Sequence, residues 1–402
     1  MNSRFFAGLR VLELASVLAG PAVGMFLAEL GAQVLKVENL LTAGDVTRCW
    51  RLAGESPDSD ISAYFSCVNW GKRSLALNLK HPRGLELLRR LAAQADIVIA
   101  NYKPGDAEKL GVDYAALSAD NPGLIYAHLT GYGPDNPRSG FAALIQAETG
   151  FVGLNGEPER PGLKMPVALI DLLAAHQLKE AILVALLERQ SSGRGQLVSV
   201  GLFQSGLVSL ANQASAWLVA GQLPRRMGSE HPSIVPYGTV YTCADGLQLM
   251  LAVGSDGQFR ALCRVLGCPE WAQDSRFASN PERVKHRQVL HPLLQASIEC
   301  WRREVLLEAL WQQQVPAGAL HTVAEALAQP EAEPLRITDA VTGLKGLRTL
   351  AFEPPGGVLK LSAPPALGAH SQSVLAELGV DSCAYAALLR DGVIFAPAVS
   401  AG

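Results

Sequence analysis

The chain has 402 residues, 49% of them apolar and 18% charged, with a formal net charge of −3. That balance supports a large buried core, enough for two domains or one large domain with an inserted lobe, and argues against disorder. So small a negative charge gives no footing for nucleic acid or for an anionic membrane surface.

Residues 9–14 read as a short buried strand, interrupted by Ala19-Gly20-Pro21. Residues 22–30 then read as a helix closed by Gly31, and residues 33–38 as a second strand. This β-α-β unit implies neighbouring parallel strands. A third strand is expected over 74–79, a helix from His81-Pro82-Arg83-Gly84 through Ala93, and a fourth strand over 96–100 that ends at Asn101-Tyr102-Lys103-Pro104-Gly105. A short helix over 114–117 and a fifth strand over 124–129 follow. The fold class is therefore α/β, with a doubly wound, Rossmann-like large domain whose ligands sit at the carboxyl ends of the strands.

A long helix fits 172–190, a strand 196–200 and a further helix 202–220. The run from Gly221 to Pro236 lacks periodicity and reads as a connection. Strand-like runs at 238–243 and 248–253 around Asp245-Gly246 give a hairpin signal, a different grammar from the first half. Helices are expected over 258–266, 284–312 and 322–328, strands over 340–344 and 358–361, and a helix over 371–378. The large domain is thus assigned to 1–215 and 328–402, a linker to 216–224, and a small α+β domain to 225–327.

The 7 cysteines (Cys49, Cys67, Cys243, Cys263, Cys268, Cys300 and Cys383) are scattered and odd in number, which suits reduced thiols in a cytoplasmic protein. No signal peptide is visible. The most apolar stretch, 166–187, carries Asp171, His176, Lys179 and Glu180, which excludes a transmembrane span. No zinc spacing, Walker loop or nucleophile elbow is present, and no metal is expected.

Asp171 is the conspicuous residue: apolar positions precede it and an Ala/Leu-rich helix follows. A lone buried carboxylate costs several kcal/mol, so it needs donors, a counter-charge or a chemical task. Two readings stand side by side, a helix N-cap and a nucleophile held at a helix N-terminus. Glu38 ends the second strand where an acidic residue would hold a ribose hydroxyl, but Leu18-Ala19-Gly20-Pro21-Ala22-Val23-Gly24 is not G-x-G-x-x-G and Pro21 removes a donor, which argues against a dinucleotide. His128, in mid-strand, reads as a core histidine. Lys72, Arg73, Lys80, Lys103 and Lys109 fall at or beside strand-to-helix turns, where a phosphate-rich ligand would want cations.

Ordered marks along nearly the whole chain carry a resemblance. They include Gly8-Leu9-Arg10-Val11-Leu12, Leu18-Ala19-Gly20-Pro21, Leu30-Gly31-Ala32 with Val37-Glu38, and Lys72-Arg73-Ser74. They continue through Ala95-Asp96-Ile97-Val98, Asn101-Tyr102-Lys103-Pro104-Gly105, Gly131-Tyr132-Gly133, Gly193-Arg194-Gly195-Gln196, Val315-Pro316-Ala317-Gly318 and Leu367-Gly368-Ala369-His370-Ser371. The sequence resembles the class III CoA-transferases, the family of formyl-CoA transferase and carnitine CoA-transferase. Resemblance implies that Asp171 attacks an acyl-CoA thioester and passes through an aspartyl-acyl anhydride and an aspartyl-CoA thioester, with coenzyme A as part of the substrate and no metal. It implies CoA contacts at Val17, Ala19, Leu77, Lys80, Asn101, Tyr102, Lys103 and Lys109. It also implies a homodimer of interlocked rings.

Three departures stand out: Asn39 where an Arg often meets phosphate, Leu18 in place of a glutamine found in formyl-CoA transferase, and Phe141-Ala142 where many relatives keep a polar or acidic residue. The last bears on the α-methylacyl-CoA racemases of the same fold, whose catalytic histidine falls in that region. A racemase, or a CoA-binding protein in which Asp171 is only a cap, is the alternative. The segment 225–237 resembles the succinyl-CoA-dependent dicarboxylate branch, whose members act on glutarate, hydroxymethylglutarate and other C4–C6 acids. An acceptor's second carboxylate would want an Arg, such as Arg48, Arg225 or Arg226. Gly254 and Gly257, in Gly254-Ser255-Asp256-Gly257-Gln258, resemble the loop that closes over the nucleophile.

Overall fold

The computed structural model describes residues 5–354 and 356–397; residues 1–4, 355 and 398–402 of the expected large domain lie outside them. Strand β1 (Arg10–Glu13), helix α1 (Ala19–Glu29) and strand β2 (Gln33–Asn39) form the first β-α-β unit. The helix starts at Ala19 rather than after Pro21. Pro21 lies in its first turn, where a missing N–H costs nothing, so it does not interrupt the helix. Helix α2 (Ala63–Ser66) leads to β3 (Arg73–Leu77), and α3 (Pro82–Ala92) is capped by His81, whose Nδ1 accepts from the Arg83 amide. There follow β4 (Ile97–Ala100), α4 (Asp106–Leu110), α5 (Tyr114–Ser118), β5 (Ile125–Thr130), α6 (Ala142–Glu148) and α7 (Phe151–Leu154). The long helix α8 (Leu169–Ser192) ends at Gly193, whose φ of 68° closes it in the left-handed region. It feeds β6 (Leu197–Gly201).

The helix expected over 202–220 is two helices, α9 (Leu202–Val208) and α10 (Asn212–Ala220), broken where Ala211 takes φ 45°. The hairpin of β7 (Tyr237–Thr242) and β8 (Gln248–Ala252) precedes α11 (Asp256–Val265). The expected helix 284–312 is three: α12 (Asn280–Lys285), α13 (Arg287–Ile298) and α14 (Arg303–Gln312). The break before α14 comes where Arg302 turns extended and the Asp245 carboxylate accepts from the Arg303 amide at 3.1 Å. Then come β9 (Ala317–Ala319), α15 (Val323–Ala328), β10 (Arg336–Thr338) and β11 (Lys345–Leu347). Residues 340–344, expected as a strand, are the turn between the last two. Asp339 stabilises that turn by accepting from the Val341 and Thr342 amides. Residues 358–361 form no strand. Helices α16 (Ser371–Glu377) and α17 (Ser382–Arg390) and strand β12 (Ile394–Phe395) complete the chain.

The main sheet has the order β12-β3-β2-β1-β4-β5-β6; its last six members are parallel and β12 runs antiparallel to β3. The order 3-2-1-4-5-6 is that of doubly wound nucleotide-binding folds, with the switch in direction between β1 and β4. A crevice therefore opens at the carboxyl ends of β1 and β4. Leu12, Val98 and Tyr126 share one core with Leu87 and Leu88 of α3, Leu375 of α16 and Leu388 of α17. Residues of the other parity face α1: a side chain on Gly20 would start 3.6 Å from Ile99 Cγ2 and 2.3 Å from Ala15 Cβ, so only glycine fits there.

The chain forms two compact units. One comprises residues up to Thr149, Met165–Ser215 and the chain from Pro334 onward; the other is Gly150–Lys164 with Ala216–Glu333. The second unit thus takes in the expected linker and small domain together with residues 150–164 and 328–333. It holds the antiparallel sheet β7-β8-β9 and its own core around Leu251, Phe259, Leu262 and Leu294. Among the described residues no helix is long and apolar enough to cross a membrane.

Candidate active site

The loop that leaves β1 has almost no secondary structure to satisfy its backbone, and side chains do it instead. Leu14 and Ala15 donate to the Ile99 carbonyl at 2.8 and 3.1 Å. Lys36 Nζ donates to the Ala15 carbonyl at 2.8 Å. Asn101 clamps Ser16 from both sides, accepting its N–H at 3.2 Å and donating to its C=O at 2.9 Å. The Val17 amide donates to both Asp45 carboxylate oxygens at 3.3 and 3.2 Å. Val17 itself has φ 74°, a left-handed conformation that a β-branched residue adopts only under constraint.

Beneath this loop lies a buried charge network. Glu13, wholly buried, accepts from Lys36 Nζ at 3.1 Å and from Lys72 Nζ at 2.9 and 2.8 Å. Lys36 also pairs with Asp45 at 2.9 Å, and Lys72 donates to the Pro21 carbonyl at 2.8 Å. Glu38 binds Arg48 at 2.8 and 2.7 Å, Ser74 Oγ at 2.7 Å and the Asp45 amide at 3.0 Å. Three cations thus face three anions, which is how buried charge is tolerated. Burial works against the Lys36 ammonium, but Glu13, Asp45 and Glu38 outweigh it and hold Lys36 above the ordinary lysine value. Burial likewise opposes the Asp45 charge, and Lys36 overcomes it, so Asp45 stays below the ordinary aspartate value. At Lys72 burial, aided by the like charge of Lys36, wins over Glu13 and pulls the ammonium down to about 8. Gly24 makes room for the network: a Cβ there would lie 1.8 Å from Glu13 Oε2. The glycines of this turn therefore serve packing, and Glu38 is bound by Arg48 and Ser74 instead of facing a ribose.

Asp171 sits in the first turn of α8. The helix begins at Leu169 and its cap position is Ala168, so Asp171 is not the N-cap. A crossover helix between parallel strands runs back along the sheet, which brings its N-terminus to the carboxyl edge. Asp171 is half-buried, and among the described residues no hydrogen bond or ion pair reaches its carboxylate. Burial pushes its carboxyl up to about 6. Burial also raises the Tyr64 hydroxyl, helped by the charge of Asp171; Tyr64 packs edge-on against Trp50 with ring centres 5.0 Å apart. An unpaired carboxylate with a raised pKa at a sheet edge is suited to nucleophilic or acid–base work.

Asn101 and Tyr102 stand at the end of β4 beside the loop after β1. The Tyr102 carbonyl is 3.0 Å from His128 Nε2, and burial pushes the Tyr102 hydroxyl up to about 12. Ala19 is the first residue of α1. The Leu77 side chain is fully buried, which leaves only its backbone to face a ligand. Lys80 and Lys103 are exposed and, among the described residues, unpaired, whereas Lys109 lies 3.4 Å from Asp106. Lys72 and Arg73 do not join them: Lys72 is buried on Glu13, and Arg73 starts β3 at the opposite edge, bound to Glu377 at 2.8 Å. Arg48 is 2% exposed, and its guanidinium is occupied by Glu38 and by the Asp60 and Pro365 carbonyls, so it is not offered to an acceptor carboxylate. Gly254 and Gly257 belong to the second unit. There Ser255 and Gln258 form a capping box on α11, and a Cβ on Gly257 would have no neighbour nearer than 3.7 Å. Phe141 is 65% exposed and Ala142 opens α6, so no base stands at those positions. A cleft of about 910 Å³ lined by Arg10, Gln33, Arg73, Lys360 and Glu377 lies at the amino ends of β1–β3, the wrong edge for chemistry at Asp171.

The buried charges were missed from sequence because a charged residue beside a turn reads as solvated. The signal that was available is Glu13, an acid inside an apolar strand.

The sequence profile of CoA-transferase family III matches residues 6–371. The succinate–glutarate CoA-transferase of Agrobacterium fabrum is 40% identical over 386 residues, covering 92% of this chain and 95% of that enzyme. The human succinyl-CoA:glutarate CoA-transferase is 32% identical over 409 residues, covering 98% of this chain and 90% of that enzyme. The crystal structure of a CAIB/BAIF family protein from Brucella suis superposes with a TM-score of 0.83 at 40% identity, over 93% of this chain and 99% of that one.

Proposed function

Because the chain belongs to CoA-transferase family III, we propose that it moves CoA from succinyl-CoA to a free C4–C6 dicarboxylate, glutarate being the first acid to test. The observation that carries the chemical part is the unpaired, half-buried Asp171 at the N-terminus of α8. A carboxylate oxygen of Asp171 attacks the thioester carbonyl, the C–S bond breaks and CoA thiolate leaves. The thiolate then attacks the Asp171 carbonyl of the mixed anhydride, which frees succinate and leaves an aspartyl-CoA thioester. The acceptor carboxylate attacks that thioester and expels the thiolate again. The thiolate takes the acyl carbonyl of the new anhydride, and the Asp171 carboxylate is restored. No proton is gained or lost overall, so the site needs no general base.

In this reading the acyl-CoA lies over the loop after β1 and the ends of β3 and β4. Val17, Ala19, Asn101 and Tyr102 and the Leu77 backbone touch it, and Lys80, Lys103 and Lys109 meet its phosphates. Gly254 and Gly257 close on the substrate. We assign the protein to a homodimer of interlocked rings. Its support is exposed apolar surface: α8 leaves Val184 and Leu187 62% and 66% exposed, and α10 leaves Leu218 and Val219 80% and 86% exposed. A cytoplasmic location suits seven unpaired cysteines.

The test is trapping. The protein is incubated with succinyl-CoA without acceptor, quenched with hydroxylamine, and the peptide containing Asp171 is weighed by mass spectrometry. A hydroxamate on Asp171 is expected. Absence of the adduct, together with exchange of an α-proton of a branched acyl-CoA in deuterated water, would turn the assignment to a racemase.

A further inference from the structure

We propose that Asp45 is a positioning residue for the acyl-CoA: through the Val17 amide it holds residues 15–19 in the shape that receives the ligand, and Lys36 holds Asp45. The inference rests on the reading of that loop as the acyl-CoA seat. Four side chains from elsewhere in the chain, Lys36 of β2, Asn101 after β4, Asp45 and Lys72, tie down the backbone of residues 15–21. Only one of the tied residues is conformationally strained, Val17 at φ 74°, and Asp45 is the group that meets its amide.

Asp45 is 4% exposed and 2.9 Å from Lys36, so its carboxylate is both desolvated and fixed. It also caps the short 3-10 turn Val46–Cys49 by accepting from the Thr47 amide at 3.1 Å. These two tasks can be separated. Asparagine caps a helix start as well as aspartate does, so Asp45→Asn keeps the turn. Its amide nitrogen, however, would replace Oδ2, which accepts from the Val17 N–H at 3.2 Å and pairs with Lys36 at 2.9 Å, by a donor. The substitution therefore leaves Val17 with only the longer of its two contacts, 3.3 Å to the cap oxygen, and sets a donor against Lys36, while sparing the cap.

The experiment compares wild type and D45N in steady-state transfer. The KM for succinyl-CoA is expected to rise roughly tenfold, the factor that corresponds to about 1.4 kcal/mol, with the KM for glutarate unchanged. A rise below fivefold, or an equal rise in both KM values, overturns the proposal, since a merely structural role would not separate the two substrates. Glycine takes positive φ without constraint, so in a V17G background the effect of D45N should fall below threefold. Persistence of the full effect there overturns the proposal as well. If D45N does not fold, D45S, which keeps a cap acceptor but is too short to hold Val17, is judged by the same thresholds. Titration calorimetry with CoA reads affinity without turnover. A wild type that binds CoA but transfers none sinks the transferase reading alone, and the ratio of the two Kd values then decides the role of Asp45 by the same fivefold threshold. A wild type that does not bind CoA sinks both.

Discussion

Replacing Asp171 with asparagine should make the protein inactive and more stable at once. The Asp171 carboxyl is pushed up to about 6 from the ordinary 3.8 by burial. At about 1.4 kcal/mol per pH unit, keeping this carboxylate ionised in the fold costs about 3 kcal/mol, or about 2 kcal/mol after allowing for its residual contact with water. For an acid whose folded value is raised, the penalty is absent below pH 3.8, grows as pH rises and is complete above pH 6. An asparagine side chain has nearly the same shape and no charge, so D171N should recover that energy at pH 8 and almost none at pH 4. At roughly 2 cal/mol/K of unfolding entropy per residue, a chain of 402 residues shifts by about 1 °C per kcal/mol, so the unfolding midpoint at pH 8 should rise by about 2–3 °C. Calorimetric scans of both proteins at pH 8 and pH 4 measure this. A midpoint at pH 8 that does not rise, or a gain of equal size at pH 4, would refute the claim that a desolvated, unpaired charge is held at this position.

The same carboxyl predicts the acid limb of activity. kcat/KM for the acyl-CoA should fall tenfold per pH unit below about pH 6, because only the ionised form attacks; a flat profile down to pH 4.5 would exclude Asp171 as the nucleophile. Gly24→Ala puts a methyl group 1.8 Å from Glu13 Oε2, so it should destabilise the chain by about 3 kcal/mol or more, read as a lowered urea midpoint. For the proposed homodimer, Leu218→Asp with Val219→Asp should convert dimer to monomer in sedimentation velocity, and an unchanged sedimentation coefficient would remove α10 from the proposed interface.

The doubly wound half was legible because its strands are short apolar runs separated by capped helices. The chain therefore shows β1 to β6 near their observed places, and Asp171 stands out as an acid in an apolar stretch. Helix boundaries were less legible where tertiary contacts intervene. Nothing local marks the break at Ala211, and the start of α14 depends on Asp245, 58 positions before the Arg303 amide it caps. The residues 340–344 alternate like a strand, yet the Asp339 carboxylate folds them into a turn by accepting from the Val341 and Thr342 amides. The buried network was the least legible part of the site. Glu13, Lys36, Asp45 and Lys72 lie far apart in sequence, only Glu13 carries a local sign of burial, and the parallel register of β1 with β2 and the length of the lysine side chains bring them together.

The pairing of β12 with β3 has a consequence for synthesis. Ile394 joins Leu77, which left the ribosome 317 residues earlier. At elongation rates of about 5–20 residues per second, the outer edge of β3 stays bare for roughly 15–60 s after it emerges. A bare strand edge is a template for pairing with another nascent chain. The strand that covers this edge is therefore translated long after the rest of the sheet, and any chain released before Ile394 keeps that edge open.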